Sequence, residues 1–280
     1  MKRFFTHLII LGSLGLNALA VTPSRPDDEE DPYFLLCGQA DRAIADGDYD
    51  EAAARLIDAI SIRPAAPESI LLMSNLGMVY SYMERDSLAL ATLNEAHRRA
   101  PAMRTVIANR AKVFLKMGRD ADAFRDFGAV IEADSLNVES RFFHGTIALY
   151  SGDLVTAEAD FEVLKNVEPE STYTAQALST LYSLTERNRE AIPYFRRLID
   201  TEPAAEYYAG LAGCQLALGQ LGDAGTTIAD GLKKYPDDAE LYYYRARLNR
   251  NRYRLDEAHA DASQAIKLGL SPAKAKALFK

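Results

Sequence analysis

Apolar residues recur three and four positions apart along most of the chain after residue 33, which is the spacing of an amphipathic helix. Phe143, Ile147 and Tyr150 form one such stripe, and Phe161 and Leu164 belong to the next one. Glycines fall between successive stripes, at Gly47, Gly118, Gly152 and Gly219. Because glycine readily adopts the backbone conformation that ends a helix, the pattern predicts pairs of helices joined by tight turns.

The helical pair is a unit that occurs seven times. An alanine recurs in the second half of each unit, at Ala52, Ala89, Ala123, Ala157, Ala191, Ala224 and Ala258. The successive spacings are 37, 34, 34, 34, 33 and 34 residues. Twelve residues before each alanine lies a second small residue, namely Ala40, Gly77, Ala111, Gly145, Ser179, Ala212 and Ala246. Small side chains allow two helices to approach closely, so these positions predict where the paired helices cross.

Prolines and capping residues mark the ends of the predicted helices. A proline cannot continue a helix. Five of the alanines are followed twelve residues later by a proline, at Pro64, Pro101, Pro169, Pro203 and Pro236. Asp48 and Glu51 have the spacing of a capping box at the start of a second helix. Pro193 lies inside a predicted second helix, so that helix either starts late or is kinked. Near the end of the chain, Ser271 and Pro272 are typical of the start of a further helix.

This 34-residue helix–turn–helix unit resembles the tetratricopeptide repeat family. The resemblance implies an all-α, right-handed solenoid of about seven repeats with a C-terminal capping helix. The repeats would span residues 33–66, 70–103, 104–137, 138–171, 172–204, 205–238 and 239–270, and the cap residues 271–280. The tryptophan of the family is absent. Tyr208 and Tyr242 take its place in two units, whereas Arg141 departs from the pattern in the fourth.

Residues 1–20 have the three parts of a secretory signal peptide. Two basic residues precede an apolar stretch of about thirteen residues, which is shorter than a membrane-spanning helix. Ala18 and Ala20 then offer a small-residue cleavage site. Residues 21–32 hold three prolines and five successive acidic residues, so we expect a flexible acidic tether there. The sequence thus predicts an exported bacterial protein, periplasmic or secreted, without a membrane span after signal removal. The alternative is an uncleaved N-terminal anchor.

Composition and charge narrow the functional classes. The net charge is −8 and the pI about 5.2, which argues against nucleic acid as a partner, since nucleic-acid-binding proteins are normally basic. The two cysteines, Cys37 and Cys214, are separated by four whole units. A disulfide needs Cα atoms within about 7 Å, so we predict two unbridged cysteines that act as buried apolar residues. Cys37, if exposed, could link two chains.

The sequence shows no constellation of catalytic or metal-binding residues. His97, His144 and His259 fall in units that are not adjacent, and repeats contact only their neighbours. His144, next to Gly145, is expected to be a core histidine with its hydrogen bonds satisfied. The metal-binding motif Cys-x-x-Cys is also missing, as are the phosphate-binding Walker loop and the Gly-x-Ser-x-Gly motif of serine hydrolases. We therefore predict no metal, no cofactor and no enzymatic activity.

By resemblance to the family, the first helices line a concave groove that holds a partner. The predicted contact residues are Tyr82, Lys112, Phe142, Thr146, Tyr150, Tyr173, Gln176, Tyr243, Arg247, Arg250 and Asn251. The aromatic and uncharged polar residues in the middle of this set suit interface anchors, or a helix face partly buried between repeats. Arg247 and Arg250 lie on one helix face. They belong to a cluster on that helix and its turn, which either captures carboxylates or balances Asp256, Glu257 and Asp261. The cluster comprises Arg245, Arg247, Arg250, Arg252 and Arg254.

Taken together, these features favour a non-catalytic scaffold for protein–protein interaction. The predicted partner is a protein, held in the groove as an extended peptide or as a helix, in an assembly or envelope function. Two alternatives remain open at this point. The chain could be an accessory protein that binds a small molecule or a glycan, or a structural oligomer in which the ends of arrays pack together.

Overall fold

The computed structural model describes residues 31–280, and this part of the chain is entirely helical apart from its turns. The predicted signal peptide and most of the predicted tether lie outside the described residues. The helices are α1 (Pro32–Asp46), α2 (Tyr49–Ile62), α3 (Pro67–Tyr82), α4 (Asp86–Arg99), α5 (Arg104–Lys116), α6 (Asp120–Ala133), α7 (Val138–Ser151), α8 (Leu154–Val167), α9 (Thr172–Leu184), α10 (Asn188–Thr201), α11 (Ala205–Ala217), α12 (Leu221–Lys234), α13 (Ala239–Asn251), α14 (Leu255–Lys267) and α15 (Pro272–Ala277).

The helices pair into seven hairpins, in which an odd-numbered first helix is followed by an even-numbered second helix. The described residues divide into two compact units, residues 31–147 and Ala148–Lys280, which we call the first and the second unit. Within each unit a helix packs on the helices before and after it in the sequence. The predicted all-α solenoid of helical hairpins is thereby confirmed. Among the residues that the structure describes, no helix is both long and apolar enough to cross a membrane.

Small residues allow the close approach of the helices. The seven alanines that mark the repeats are all 0% exposed. In the first unit, a Cβ atom on Gly77 of α3 would lie 2.6 Å from Cγ of Leu93 in α4. In the second unit, a Cβ atom on Gly210 of α11 would lie 2.5 Å from the ring of Phe195 in α10. Real Cβ atoms are not found so close to other carbons, so these contacts require glycine.

The turn between the two helices of a hairpin has the same backbone conformation in all seven repeats. One residue of each turn has a positive φ angle, between 59° and 90°. Glycine occupies this position in the four turns that the sequence identified. The other three turns hold Glu84, Glu186 and Tyr253 there, with φ angles of 59°, 60° and 61°. A residue with a Cβ atom pays about 1–2 kcal/mol for this left-handed conformation, so these three turns are strained.

Side-chain caps begin several helices. Asp48 accepts a hydrogen bond from the backbone N–H of Glu51, at 3.1 Å. The carboxylate of Glu51, however, accepts the Nε–H of Arg55 at 2.8 Å, so we see one half of the predicted capping box. In the fourth hairpin, Asp153 caps α8 in the same way by accepting the N–H of Thr156 at 3.1 Å. Each cap satisfies a donor that the first helical turn leaves unpaired.

Two residues that break the sequence pattern are accommodated without loss of a helix. Pro193 is the sixth residue of α10, so the helix begins early and continues through the proline. The proline removes one N–H donor, which leaves the carbonyl of Arg189 without its partner in the helix. Arg141, at the position of the family's tryptophan, donates a hydrogen bond from Nε to the carbonyl of Ser135 at 2.6 Å. It thus ties α7 to the turn that precedes it.

The last helix covers the apolar face of the seventh hairpin. Leu270, Ala275 and Leu278 are buried in a cluster with residues of α13 and α14. The ring of Phe279 stacks on His259 of α14, with 4.0 Å between the ring centroids. This arrangement agrees with the need of a repeat array for an atypical terminal element that shields its last hydrophobic surface.

Candidate binding surface

Four of the predicted contact residues are buried. Lys112, Phe142, Thr146 and Gln176 are only 4–5% exposed. A partner could touch these side chains only after the surrounding helices moved, so they form the packed base of the first-helix layer. The remaining predicted residues lie closer to the surface. Tyr150 is exposed, and the partly exposed ones are Tyr82, Tyr173, Tyr243, Arg247, Arg250 and Asn251.

In the first unit, the two lysines of the first-helix layer are neutralised by acidic residues. Lys112 Nζ lies 2.7 Å from a carboxylate oxygen of Glu139. Lys116 Nζ lies 2.9 Å from a carboxylate oxygen of Asp86 and also donates a hydrogen bond to the carbonyl of Ser81. Because a buried ammonium group is costly without a partner, these lysines stabilise the array and offer little charge to a ligand.

The first unit also carries a pair of stacked tyrosines near this layer. The ring centroids of Tyr49 and Tyr82 are 5.2 Å apart and the ring planes differ by 10°. Burial, together with the neighbouring Tyr49, raises the pKa of Tyr82 to about 12. The phenol therefore stays protonated at physiological pH and can donate a hydrogen bond.

Two hairpins contain an arginine–aspartate pair at equivalent positions. Sequence reasoning named Asp261 of one pair as a balancing charge, but it did not identify the other pair. In the third hairpin, Arg110 donates from Nε and Nη2 to Asp126, at 2.7 and 2.9 Å. In the seventh, Arg245 donates to Asp261 from Nε at 3.0 Å and from Nη2 at 2.6 Å. Both pairs join residues sixteen positions apart, one on the first helix and one on the second. That shared spacing is the signal that could have found them.

The arginines of α13 do not act as one binding set. Arg245 is held by Asp261, as one of the two sequence interpretations proposed. No carboxylate lies within 4 Å of Arg247, Arg250, Arg252 or Arg254 anywhere in residues 31–280, so Asp256 and Glu257 do not balance them as ion pairs. Arg250 donates instead to the carbonyl of Leu278.

In the second unit, the C-terminal ends of the first helices present a row of exposed side chains. Gln176, in the layer beneath, donates to the hydroxyl of Tyr207 at 2.8 Å and is not accessible. Above it, Leu184 is 57% and Tyr150 39% exposed. We define the edge row as the equivalent positions of successive first helices, which are Tyr150, Leu184, Ala217 and Asn251.

The partly exposed Tyr243 borders this surface near the end of the chain. Its ring packs edge-on against Tyr244, with 5.3 Å between the centroids. Lys274 Nζ lies 4.7 Å from the Tyr243 centroid and pairs with Glu240 at 2.6 Å. A cation on one ring face leaves the other face and the ring edge for contacts with a partner.

The two cysteines are packed into the core. Cys37 and Cys214 are free and buried, and burial raises the pKa of both thiols to about 11. Cys37 therefore does not meet the condition of exposure on which chain linkage depended. His144 is partly exposed, unlike the core histidine that the sequence predicted, and its ring stacks on Phe124 with 3.9 Å between the centroids. No group of histidine, cysteine, aspartate or glutamate side chains within residues 31–280 is arranged to hold a metal ion.

The second unit also contains a depression of about 830 Å³ between α12 and α13. Small residues of α12, Gly222 and Gly225 among them, leave room for it, and Tyr242, Leu248 and Arg252 contribute to its other wall. None of the predicted contact residues lines this depression. It lies apart from the first-helix surface and was not foreseen from the sequence.

Comparisons with known proteins agree with this architecture. Residues 185–248 match the family model of the tetratricopeptide repeat. A solved tetratricopeptide repeat protein from Parabacteroides merdae is 22% identical, with a TM-score of 0.66, and the match covers 88% of this chain and 97% of that one. YrrB, described as a tetratricopeptide repeat protein with an unusual peptide-binding site, is 18% identical with a TM-score of 0.54, over 65% of this chain and 95% of that one.

A longer relative shares part of the array. The superkiller complex protein 3 of Mus musculus is 29% identical over 171 residues. The match covers 59% of this chain but only 11% of the mouse protein, so the chain corresponds to a small part of that relative. At these identities, the solved structures establish the fold that the sequence pattern predicted.

Proposed function

The chain is a tetratricopeptide repeat protein, and on that premise we propose that it is a non-catalytic scaffold which binds an extended peptide or a helix of a partner protein. The fold is one of interaction scaffolds, in which stacked hairpins present a long surface to a ligand. The proposed site is the first-helix surface of the second unit, comprising the edge row together with Tyr243 and Arg247.

The exposure of Leu184 and Tyr150 is the observation that carries this proposal. Both side chains lie at the same position of successive first helices, and both are large and apolar for most of their surface. Covering apolar area with a ligand gains about 25 cal/mol of free energy for each Å² that is removed from water. Aromatic residues are also frequent anchors of interfaces. A ligand that lies along the row would cover both.

The chemistry of the row suggests what the ligand carries. Leu184 and Tyr150 suit apolar side chains of a peptide. Arg247, half-buried and without a carboxylate partner within residues 31–280, can bind an acidic group at the other end. We therefore expect a peptide or helix with apolar residues followed by an acidic residue, rather than a basic ligand.

Replacing Leu184 with glutamate should reduce partner capture by about tenfold or more, because it puts a charge where apolar contact is expected. The test is photocrosslinking in intact cells, with a benzophenone amino acid at Ala217 of the edge row, followed by identification of the crosslinked protein. A matched control is Leu136→Glu, since Leu136 is equally exposed (59%) but lies in the turn before α7.

The outcome of this comparison is decisive. If Leu136→Glu abolishes the crosslink while Leu184→Glu retains it, the partner binds elsewhere. Equal crosslinking in wild type and in both variants would also remove the edge row as the binding site. Circular dichroism of each variant establishes that the helices remain folded.

We further propose that the protein acts in the cell envelope, as its N-terminal sequence suggests. Cleavage after Ala20 would release a mature chain that begins at Val21. Fractionation of bacterial cells should place the protein in the periplasm or medium, with Val21 as the first residue by Edman sequencing. Recovery of the uncleaved chain from the cytoplasm would contradict this proposal.

A further inference from the structure

The turn that follows α13 concentrates positive charge that no carboxylate within residues 31–280 neutralises by an ion pair. Arg252 donates a hydrogen bond to the carbonyl of Leu221 at 2.7 Å, and Arg250 donates to the carbonyl of Leu278. Both partners are uncharged. Arg254 is exposed, and its side chain makes no hydrogen bond or ion pair within residues 31–280. Three positive charges thus remain available within five residues of an acidic protein.

Between Arg252 and Arg254 stands Tyr253, whose conformation is costly in two ways. It is 91% exposed, the largest exposed fraction among the large apolar and aromatic residues that the structure describes. It also holds a φ angle of 61°, at a position where four of the seven repeats have glycine. Strained residues that are retained at exposed positions are frequently functional. We call residues 252–254 the arginine turn.

In the first hairpin, an arginine that lies beside an aromatic ring forms an ion pair with an acidic residue. Asp31, the last residue of the acidic run, pairs with Arg63 in the first unit. The guanidinium of Arg63 lies 4.5 Å from the ring centroid of Tyr33. An acid, an arginine and a tyrosine thus already form one contact here. The four preceding residues, Asp27–Glu30, are also acidic.

We infer that the arginine turn binds the acidic residues 27–30 of a second copy of this chain, in a head-to-tail contact. The charges are complementary: four carboxylates meet the guanidiniums of Arg250, Arg252 and Arg254, with Tyr253 as the apolar element. Arginine binds carboxylates in a bidentate manner, and arginine and tyrosine together are typical of interface anchors.

The proposed contact joins different parts of two copies of the chain. The acidic residues 27–30 precede the first hairpin in the sequence, whereas the arginine turn lies in the seventh. Such a contact uses different surfaces on the two copies and therefore allows chains of molecules. The arginine turn lies outside the edge row, so the result of its test is independent of the test of the proposed function.

Sedimentation velocity of the protein from cells that express the full gene tests this inference. We expect association that increases with concentration between about 1 µM and about 1 mM. The association should disappear at about 1 M salt, where screening acts over about 3 Å. Two changes should each weaken it about tenfold or more. They are neutralisation of the acidic run (Asp27→Asn, Asp28→Asn, Glu29→Gln, Glu30→Gln) and the pair Tyr253→Gly with Arg254→Glu.

A matched control separates this contact from effects on folding. Glu186→Gly makes the same backbone change as Tyr253→Gly, in a different hairpin. Both remove left-handed strain, so both should keep or raise the melting temperature. Only the variant at residues 253 and 254 should lose association. Mixing a chain with lysine at residues 27–30 with a chain carrying Arg252→Glu and Arg254→Glu should restore it.

Several results would overturn the inference. A monomer at all concentrations at low salt would do so, as would association that persists at about 1 M salt. If the arginine turn variant dissociates but the neutralised acidic run does not, the turn binds something other than residues 27–30.

Discussion

Replacing Asp126 with alanine is expected to lower the free energy of unfolding by about 2–4 kcal/mol. The side chain of Asp126 is 7% exposed and that of its partner Arg110 is 14% exposed. Two hydrogen bonds join them, at 2.7 and 2.9 Å. Removal of the carboxylate leaves the guanidinium mostly desolvated and without its counter-charge, which is the costly part of breaking such a pair.

Urea unfolding followed by circular dichroism measures this effect, with the slope of the transition as a check on the cooperativity of the repeat array. Asp122 provides a matched control on the same helix, since it is more exposed (25%) than Asp126 and pairs with the exposed Arg119 and Arg125. Asp122→Ala should leave the midpoint of unfolding close to that of the wild type.

A double variant distinguishes a buried charge from a general loss of packing. Arg110→Met combined with Asp126→Leu removes both charges and keeps the volume, so it should recover most of the stability that Asp126→Ala loses. If the double variant is less stable than Asp126→Ala, the pair contributes through its hydrogen-bond geometry. If Asp126→Ala unfolds like wild type, the ion pair does not hold the third hairpin together.

The helical packing could be predicted from the sequence because it is repeated. One position such as Ala157 says little, but seven small residues at a constant spacing identify the crossing of two helices, and all seven alanines are fully buried. The glycine turns were foreseen for the same reason. The positive φ angles of Glu84, Glu186 and Tyr253 were not predicted, because residues of these types rarely adopt such angles.

The candidate site was harder to predict, since exposure depends on neighbouring hairpins. Lys112 has the character of a surface residue in the sequence, yet it is buried and pairs with Glu139, which lies on the next first helix. Arg245 was one of several clustered arginines, and its pairing with Asp261 separates it from them. Sequence spacing places such residues on the correct helix, but their partners follow only from three-dimensional packing.

The predicted contact residues differ in whether a partner can reach them. The predicted contact set contained four buried residues and seven that are at least partly exposed. Two of the latter, Tyr150 and Asn251, belong to the edge row of the second unit. Leu184, absent from the predicted set, is more exposed than Tyr150, which was in it.

A second large effect is expected at the contact between consecutive hairpins. Gly210→Ala should destabilise the protein by about 1–3 kcal/mol, although alanine is the better helix former by about 1 kcal/mol. The added methyl group would lie 2.5 Å from Cε1 and Cζ of Phe195, an aromatic ring that is itself buried. The ring or the whole of α11 must move, which disturbs the contact between the fifth and sixth hairpins.

Gly38→Ala is the matched control, since Gly38 also lies within a helix but has no atom within 4 Å of an added Cβ. It should raise the stability by about 0.5–1 kcal/mol. The two variants differ in packing alone, so the opposite signs of their effects in urea unfolding test whether the hairpins are packed to van der Waals contact. Equal stabilisation by both substitutions would mean that Phe195 can turn away, and that the fifth and sixth hairpins are joined less tightly than the glycine implies.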